Sequence, residues 1–122
     1  MKTLFIIITM LVSMSCANAT LYTPSMTESD VQQEWCGKDP VYYKNWGVYV
    51  DCVQSGYAVE IDFIDKWAEA IGQSLAYSSM LNLPPGIAFI IRRPQDYQHM
   101  RKYNEAIKHV DTKIKVWYIE LF

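Results

Sequence analysis

The chain has 122 residues, of which 51% are hydrophobic and 20% are charged, and its 13 acidic and 11 basic side chains give a formal charge of −2. This length is enough for one small domain and not for two. The mild acidity argues against a broad phosphate-binding surface, although it is compatible with a local basic strip such as Arg92–Arg93.

Residues 1–19 have the pattern of a secretory signal peptide. A positive charge near the start precedes an apolar run from Leu4 to Val12, and small residues close the segment at Ala19. The run is shorter than the roughly 20 residues that span a bilayer. We therefore expect cleavage after Ala19 and an exported product, periplasmic or secreted, without a stable membrane span. An uncleaved anchor and a lipoprotein lipidated at Cys16 are the less favoured alternatives.

Removal of 19 residues from 122 leaves a single domain, residues 20–122, of 103 residues, with ten basic and 13 acidic side chains and a formal charge of −3. Two cysteines remain in it, Cys36 and Cys52. In an oxidising compartment such a pair favours a structural disulfide over a metal or redox site. The loop between them has 15 residues, and loop-closure entropy assigns a loop of this size about 3 kcal/mol of stabilisation.

The first half of the domain is predicted to form a helix and a hairpin. A helix is expected from about Glu28 to Cys36, capped by Thr27 or Ser29. "DPVYYKNWG" then reads as a turn and an edge. "VYVDCV" and "YAVEIDF" are β-branched and aromatic, and the turn "QSG" between them predicts a β-hairpin.

The second half alternates helices and strands. A helix is predicted from Asp65 to about Met80, ended by Pro84-Pro85, and "IAFIIRR" reads as a strand buried on both faces. A polar helix follows Pro94, and "KIKVWYIELF" closes the chain as a strand. The predicted order is α-β-β-α-β-α-β, an α/β sandwich with a mixed central sheet. Because a small domain needs large apolar burial, all four tryptophans are expected in the core: Trp35, Trp46, Trp67 and Trp117.

Three acids lie on the predicted hairpin. If its strands pair symmetrically about Gln54 to Tyr57, Asp51 lies nearly opposite Glu60, and Asp62 points to the same face as Glu60. Carboxylates so placed repel each other unless a cation, a proton or a basic side chain lies between them. A hard divalent ion, Mg²⁺ or Mn²⁺, suits that gap.

The helix that follows the hairpin has a polar face. At about 100° per residue, Lys66, Ala70, Gln73 and Tyr77 fall close to one meridian. A lysine, an amide and a phenol therefore share a face at the end of a strand that carries acids.

In these features the chain resembles the PD-(D/E)xK nuclease superfamily, from about Glu28 to Leu121. Asp51 matches the first acid of the motif and Glu60 the second, "QSLAY" from Gln73 to Tyr77 matches the QxxxY motif of the RecB-like branch, and Glu34 is placed like an additional acid that some members use. The resemblance implies a restriction-endonuclease-like sandwich that cleaves nucleic acid with Mg²⁺ or Mn²⁺. It implies metal ligands among Asp51, Glu60, Asp62 and Glu34, and catalytic roles for Asp51, Glu60, Lys66, Gln73 and Tyr77.

One departure from the motif leaves the function open. Asp62 stands where the family has a lysine that orients the attacking water and stabilises charge. Lys66, on the following helix, is the expected replacement. The alternative is a degenerate, inactive scaffold that binds a protein or ligand in the cell envelope. Each residue also has a plain structural interpretation: a strand end at Asp51, a solvated edge at Glu60 and Asp62, a surface lysine at Lys66, and packing contacts at Gln73 and Tyr77.

Overall fold

The computed structural model describes residues 21–122. The predicted signal peptide, its cleavage at Ala19 and the alternative lipidation at Cys16 lie outside these residues. Within the described part of the chain, every helix is too short or too polar to cross a membrane.

Residues 21–122 form three α-helices and six β-strands. The helices are α1 (Glu28–Cys36), α2 (Trp67–Leu81) and α3 (Gln98–Ile107). The strands are β1 (Val41–Tyr43), β2 (Val48–Val50), β3 (Cys52–Gln54), β4 (Tyr57–Phe63), β5 (Pro85–Ile91) and β6 (Lys115–Glu120). Single turns of 3₁₀ helix, Ile64–Lys66 and Pro94–Tyr97, precede α2 and α3.

The predicted α/β class and mixed central sheet are confirmed. Four strands form one sheet in the order β3-β4-β5-β6, in which β3 is antiparallel to β4 while β4, β5 and β6 are parallel. Helices α2 and α3 are the connections that parallel neighbours require. Strands β1 and β2 form a separate antiparallel pair.

The predicted first strand, "VYVDCV", is divided into β2 and β3 at Asp51. Continued beyond Cys52↔Val59, the register of β3 on β4 would pair Val50 with Ile61. Instead, Asp51 Oδ2 accepts a hydrogen bond from the Ile61 amide at 2.8 Å, so a side chain takes the donor that the strand would use. β2 pairs instead with β1, and β1 lies in the segment "DPVYYKNWG" that is predicted to be a turn and an edge. The observed order is therefore α-β-β-β-β-α-β-α-β.

The core lies on both faces of the four-stranded sheet. On one face α1 packs over Val59, Ile61 and Phe63 of β4. On the other, α2 and α3 cover the opposite side chains of β5, and all seven residues of β5 are buried. The predicted buried strand "IAFIIRR" is confirmed from Ile87 to Ile91, whereas Arg92 and Arg93 lie beyond its end and are exposed. Trp46 is a correction to the predicted core, since it lies on the β1–β2 turn with 61% of its surface exposed.

A disulfide joins Cys36, at the end of α1, to Cys52, at the start of β3, which confirms the predicted pairing. Gln32 reinforces it, because its side-chain amide donates to the carbonyl of Lys38 at 2.6 Å and to that of Asp51 at 2.9 Å. These two carbonyls stand at the two ends of the loop that the disulfide closes. Both ends of the β1–β2 hairpin are therefore held against α1.

Replacement of both cysteines by serine is expected to lower the free energy of unfolding by about 3 kcal/mol, because the unfolded chain regains the freedom of a loop of this size. Urea denaturation of the variant and of the oxidised protein at one pH measures the difference. The reduced wild-type protein is the matched control and should unfold like the variant. Equal stability of all three would show that the crosslink constrains nothing in the unfolded chain.

Candidate functional site

Four carboxyl groups meet beside the unpaired edge of β4. Glu60 and Asp62 lie on β4 and are 2% and 4% exposed, Asp51 precedes β3, and Glu28 is the first residue of α1. β3 pairs with β4 only from Tyr57 to Val59, which leaves the second half of β4 open on that side. We refer to Glu28, Asp51, Glu60 and Asp62 as the acidic cluster.

Asp51 and Glu60 lie side by side, in the arrangement predicted from the hairpin, and share a hydrogen bond between their carboxyl groups. Burial, followed by the charge of Asp51, raises the pKa of Glu60 to about 10. Burial also raises the pKa of Asp51. At neutral pH Glu60 therefore keeps its proton and donates it to Asp51, which relieves the repulsion between the two groups.

Helix α2 contributes two further contacts to Glu60. With its amide nitrogen turned toward the carboxyl group, Gln73 donates to both Glu60 oxygens, at 2.5 and 3.0 Å. The hydroxyl of Tyr77, one helical turn later and buried, lies close enough to Glu60 for each group to shift the pKa of the other. Burial, then the charges of Glu60 and Asp51, raises the pKa of Tyr77. The two residues of the QxxxY motif thus reach the second acid of the predicted site.

Asp62 forms the other half of the cluster. Its Oδ1 accepts from the Phe63 amide at 2.8 Å and lies 3.6 Å from Lys66 Nζ. Its carboxyl group also hydrogen-bonds that of Glu28, whose pKa is raised to about 7 by burial and then by the charge of Asp62. Burial raises the pKa of Asp62 itself.

Lys66 lies at the Asp62 end of the cluster. Asp62 is the main cause of its raised pKa, with smaller contributions from Glu28 and Glu69. Its side chain remains 48% exposed. The lysine predicted to serve Asp51 and Glu60 is therefore held first by Asp62, the residue that departs from the motif.

Glu34 lies outside the acidic cluster. It is exposed, and its charge contributes, after burial, to the raised pKa of Tyr22. Glu28 is the acid that α1 contributes instead, and sequence reasoning missed it. The available signal was the capping box, in which Thr27 and Asp30 exchange hydrogen bonds of 2.8 and 3.2 Å and fix Glu28 as the first helical residue.

A small cleft of about 150 Å³ adjoins the cluster and is lined by Glu28, Ser29, Gln32, Pro40 and Asp51. Gln32 Oε1 is buried and has no hydrogen-bond partner, because the amide nitrogen is turned to the two carbonyls of the loop. The cleft is therefore lined by two carboxyl groups, those of Glu28 and Asp51, and carboxylate oxygens are ligands that hard divalent cations prefer.

The donor set fits Mg²⁺ or Mn²⁺ in chemistry, although its side chains are turned toward each other. Within residues 21–122, no three His, Cys, Asp or Glu side chains already surround a common point as metal ligands do. The carboxyl groups lie in two pairs, Asp51 with Glu60 and Asp62 with Glu28, and burial raises the pKa of all four, which favours protons within the pairs. A divalent ion would have to displace those protons.

Comparison of the chain with models of protein families, with curated proteins and with solved structures gave no match. The resemblance to the PD-(D/E)xK superfamily therefore rests on the motifs and their order along the chain, and it stays a prediction.

The free energy of unfolding is expected to fall as the pH rises from about 5 to about 9. Glu60 and Glu28 have raised pKa values in the folded protein, so the folded state holds protons that the unfolded chain releases above about pH 4.5. Each such proton contributes a slope of at most about 1.4 kcal/mol per pH unit. Urea denaturation across this range measures the slope.

In the same series Glu60→Gln should flatten the profile, because the amide mimics the protonated acid and does not titrate. Glu34→Gln is the matched control, since Glu34 is exposed and outside the cluster, and it should leave the slope unchanged. A wild-type stability that rises over this pH range would contradict the proton sharing.

Proposed function

We propose that this protein hydrolyses phosphodiester bonds of nucleic acid with the help of Mg²⁺ or Mn²⁺, on a restriction-endonuclease-like sandwich. The observation that carries the proposal is the convergence of Asp51, Gln73 and Tyr77 on Glu60. All four residues match motif positions of the PD-(D/E)xK superfamily, and they come from β4, from α2 and from the break between β2 and β3.

The arrangement of the sheet is compatible with this proposal. An antiparallel hairpin, β3–β4, carries the two acids at the point where the strands diverge, and α2, which carries the QxxxY residues, follows directly. The β1–β2 hairpin is an addition to the order that the resemblance implies.

Each residue has a distinct part in this mechanism. Asp51 and Glu60 would hold the divalent ion, which when bound acidifies a coordinated water and neutralises phosphate charge. Gln73 fixes the orientation of the Glu60 carboxyl group through its hydrogen bonds, with Tyr77 beside the same group, and the Ile61 amide fixes that of Asp51. Lys66 supplies the positive charge that the motif lacks at Asp62 and would stabilise the negative charge that develops on the phosphate.

Asp62 favours a second candidate function, a nuclease-like scaffold that binds a protein or ligand in the envelope without catalysis. The residue that replaces the motif lysine also engages Lys66 in an ion pair at 3.6 Å. A lysine neutralised in this way contributes less charge to a phosphate. The two candidates differ in whether the acidic cluster binds a divalent ion.

Mn²⁺ is expected to raise the melting temperature, and to raise it more at about pH 8.5 than at about pH 5.5, because ligation requires the protons of the cluster to leave. Thermal denaturation with and without the ion, at both pH values, measures the shift. Glu60→Gln should abolish it and Glu34→Gln should retain it. An equal shift in both variants would place the ion elsewhere.

Cleavage is tested with labelled single- and double-stranded DNA and RNA, with Mn²⁺ or Mg²⁺. Both Glu60→Gln and Lys66→Ala are expected to reduce the rate by about 100-fold or more, the effect of losing a group that stabilises transition-state charge. Their controls are Glu34→Gln and Lys102→Ala, which change exposed residues outside the cluster. An inert wild-type protein that Mn²⁺ does not stabilise would reject the nuclease and favour the scaffold.

A further inference from the structure

The β1–β2 hairpin presents three large aromatic side chains to solvent. Tyr42 is 52% exposed, and Trp46 and Tyr49 are each 61% exposed. Tyr42 and Tyr49 are direct partners in the register, with ring centroids 4.9 Å apart, and Trp46 lies in the turn between the strands. We refer to these three residues as the aromatic hairpin.

Other residues hold the hairpin in place, so its exposed rings are not needed as anchors. Val50 is buried and packs with Ala58 and Tyr77, and Tyr43 packs against the same group. The turn is closed by hydrogen bonds from the amides of Trp46 and Gly47 to the carbonyl of Tyr43, at 3.1 and 2.9 Å. The backbone that carries the rings is therefore held in place by packing and hydrogen bonds. The hairpin then loses less conformational entropy when a ligand binds.

The aromatic hairpin is continuous with the acidic cluster. Val41 and Val50 are paired at the base of the β1–β2 hairpin. The residues next to them, Pro40 and Asp51, both line the cleft beside Glu28. The disulfide and Gln32 hold this base against α1. A chain-like ligand lying along the rings would therefore lead directly to the predicted catalytic acids.

The local chemistry suits a nucleobase chain. Between Val41 and Val50 the only charged residue is Lys44, in a protein that is acidic as a whole. A shallow cavity of about 290 Å³ at the turn combines rings with an ammonium and an amide, from Tyr42, Tyr43, Lys44, Asn45, Trp46 and Met80. Aromatic faces stack on bases of any sequence, while a nearby cation contacts the phosphates.

We propose that the aromatic hairpin is a stacking platform for unpaired bases, which makes single-stranded nucleic acid the ligand of this protein. The choice of polymer rests on the proposed nuclease function. Binding through the hairpin needs neither the metal nor catalysis, so the two proposals fail separately.

The test measures the binding of a short, labelled single strand to the oxidised protein by fluorescence anisotropy, with EDTA present to prevent cleavage. Trp46→Ala and Tyr49→Ala are each expected to raise Kd by about 5- to 150-fold, the range for loss of one base–ring stack. Trp46→Phe should restore most of the affinity. Tyr118→Ala is the matched control, because Tyr118 is 41% exposed on β6, at the opposite edge of the sheet, and it should bind like wild type.

Two altered ligands separate stacking from charge. An abasic strand keeps the phosphates and removes the bases, so it should bind wild type weakly and no longer distinguish Trp46→Ala from it. The corresponding duplex, whose bases are already stacked, should also bind weakly. Equal urea midpoints for wild type and the variants show that the folded state is retained.

Several outcomes would overturn the proposal. One is that the protein does not bind the single strand, and another is that Trp46→Ala and Tyr49→Ala both bind it as tightly as wild type does. A wild-type affinity for the abasic strand equal to that for the strand with bases is the third such outcome. A dimer in sedimentation that Trp46→Ala dissociates, without any change in nucleic-acid affinity, would assign the hairpin to contact between two copies of the chain. Binding in EDTA, together with no cleavage in the separate assay with Mn²⁺ or Mg²⁺, would reject the nuclease and leave the platform intact.

Discussion

The hydrogen bond from the Ile61 amide to Asp51 Oδ2, 2.8 Å long, is the contact on which the site depends. It ends the pairing of β3 with β4, because it uses the donor that the next ladder bond requires. The chain then turns away from the sheet, β2 becomes free to pair with β1, and the edge of β4 stays open beside Glu60. One side-chain acceptor thus creates both the acidic cluster and the hairpin next to it. The disulfide at Cys52, the following residue, holds this divergence in place.

The divergence brings four carboxyl groups together, with Lys66 at the Asp62 end. In a largely buried setting such charges are strongly unfavourable unless they are paired or protonated. Protons shared between Asp51 and Glu60 and between Glu28 and Asp62 satisfy this requirement. A divalent cation would satisfy it as well, by a different exchange: protons leave and the ion enters. As the pH rises, the free energy of unfolding is therefore expected to fall while the affinity for the ion increases. Both effects have one cause, the loss of protons from the same carboxyl pairs.

Much of this arrangement follows from local rules. The bounds of α1 and β4, the disulfide and the position of Asp51 opposite Glu60 were predictable because capping, alternation and a tight turn fix them over short distances. The turn has the left-handed φ angles of 53° at Ser55 and 78° at Gly56 that a two-residue hairpin uses. The contribution of Glu28 in place of Glu34 depends on how α1 crosses the sheet edge, and the exposure of Trp46 depends on the strand break. Both follow from three-dimensional packing and leave no periodic pattern in the sequence.

Asp62, at the position where the resembled motif has a lysine, changes the charge of the site less than the sequence alone indicates. Asp62 points to the same side of β4 as Glu60 and draws Lys66, four residues later, to 3.6 Å. The positive charge thus returns to this end of the strand from the following turn. Because the lysine is 48% exposed, the ion pair contributes on the order of 0–1 kcal/mol. The transition state of phosphodiester hydrolysis carries more negative charge than one carboxylate, so it can compete for Lys66 against so weak a partner. Asp62 therefore holds Lys66 near the site, but weakly enough for the reacting phosphate to replace it. An aspartate at this position is compatible with an active nuclease as well as with an inactive scaffold.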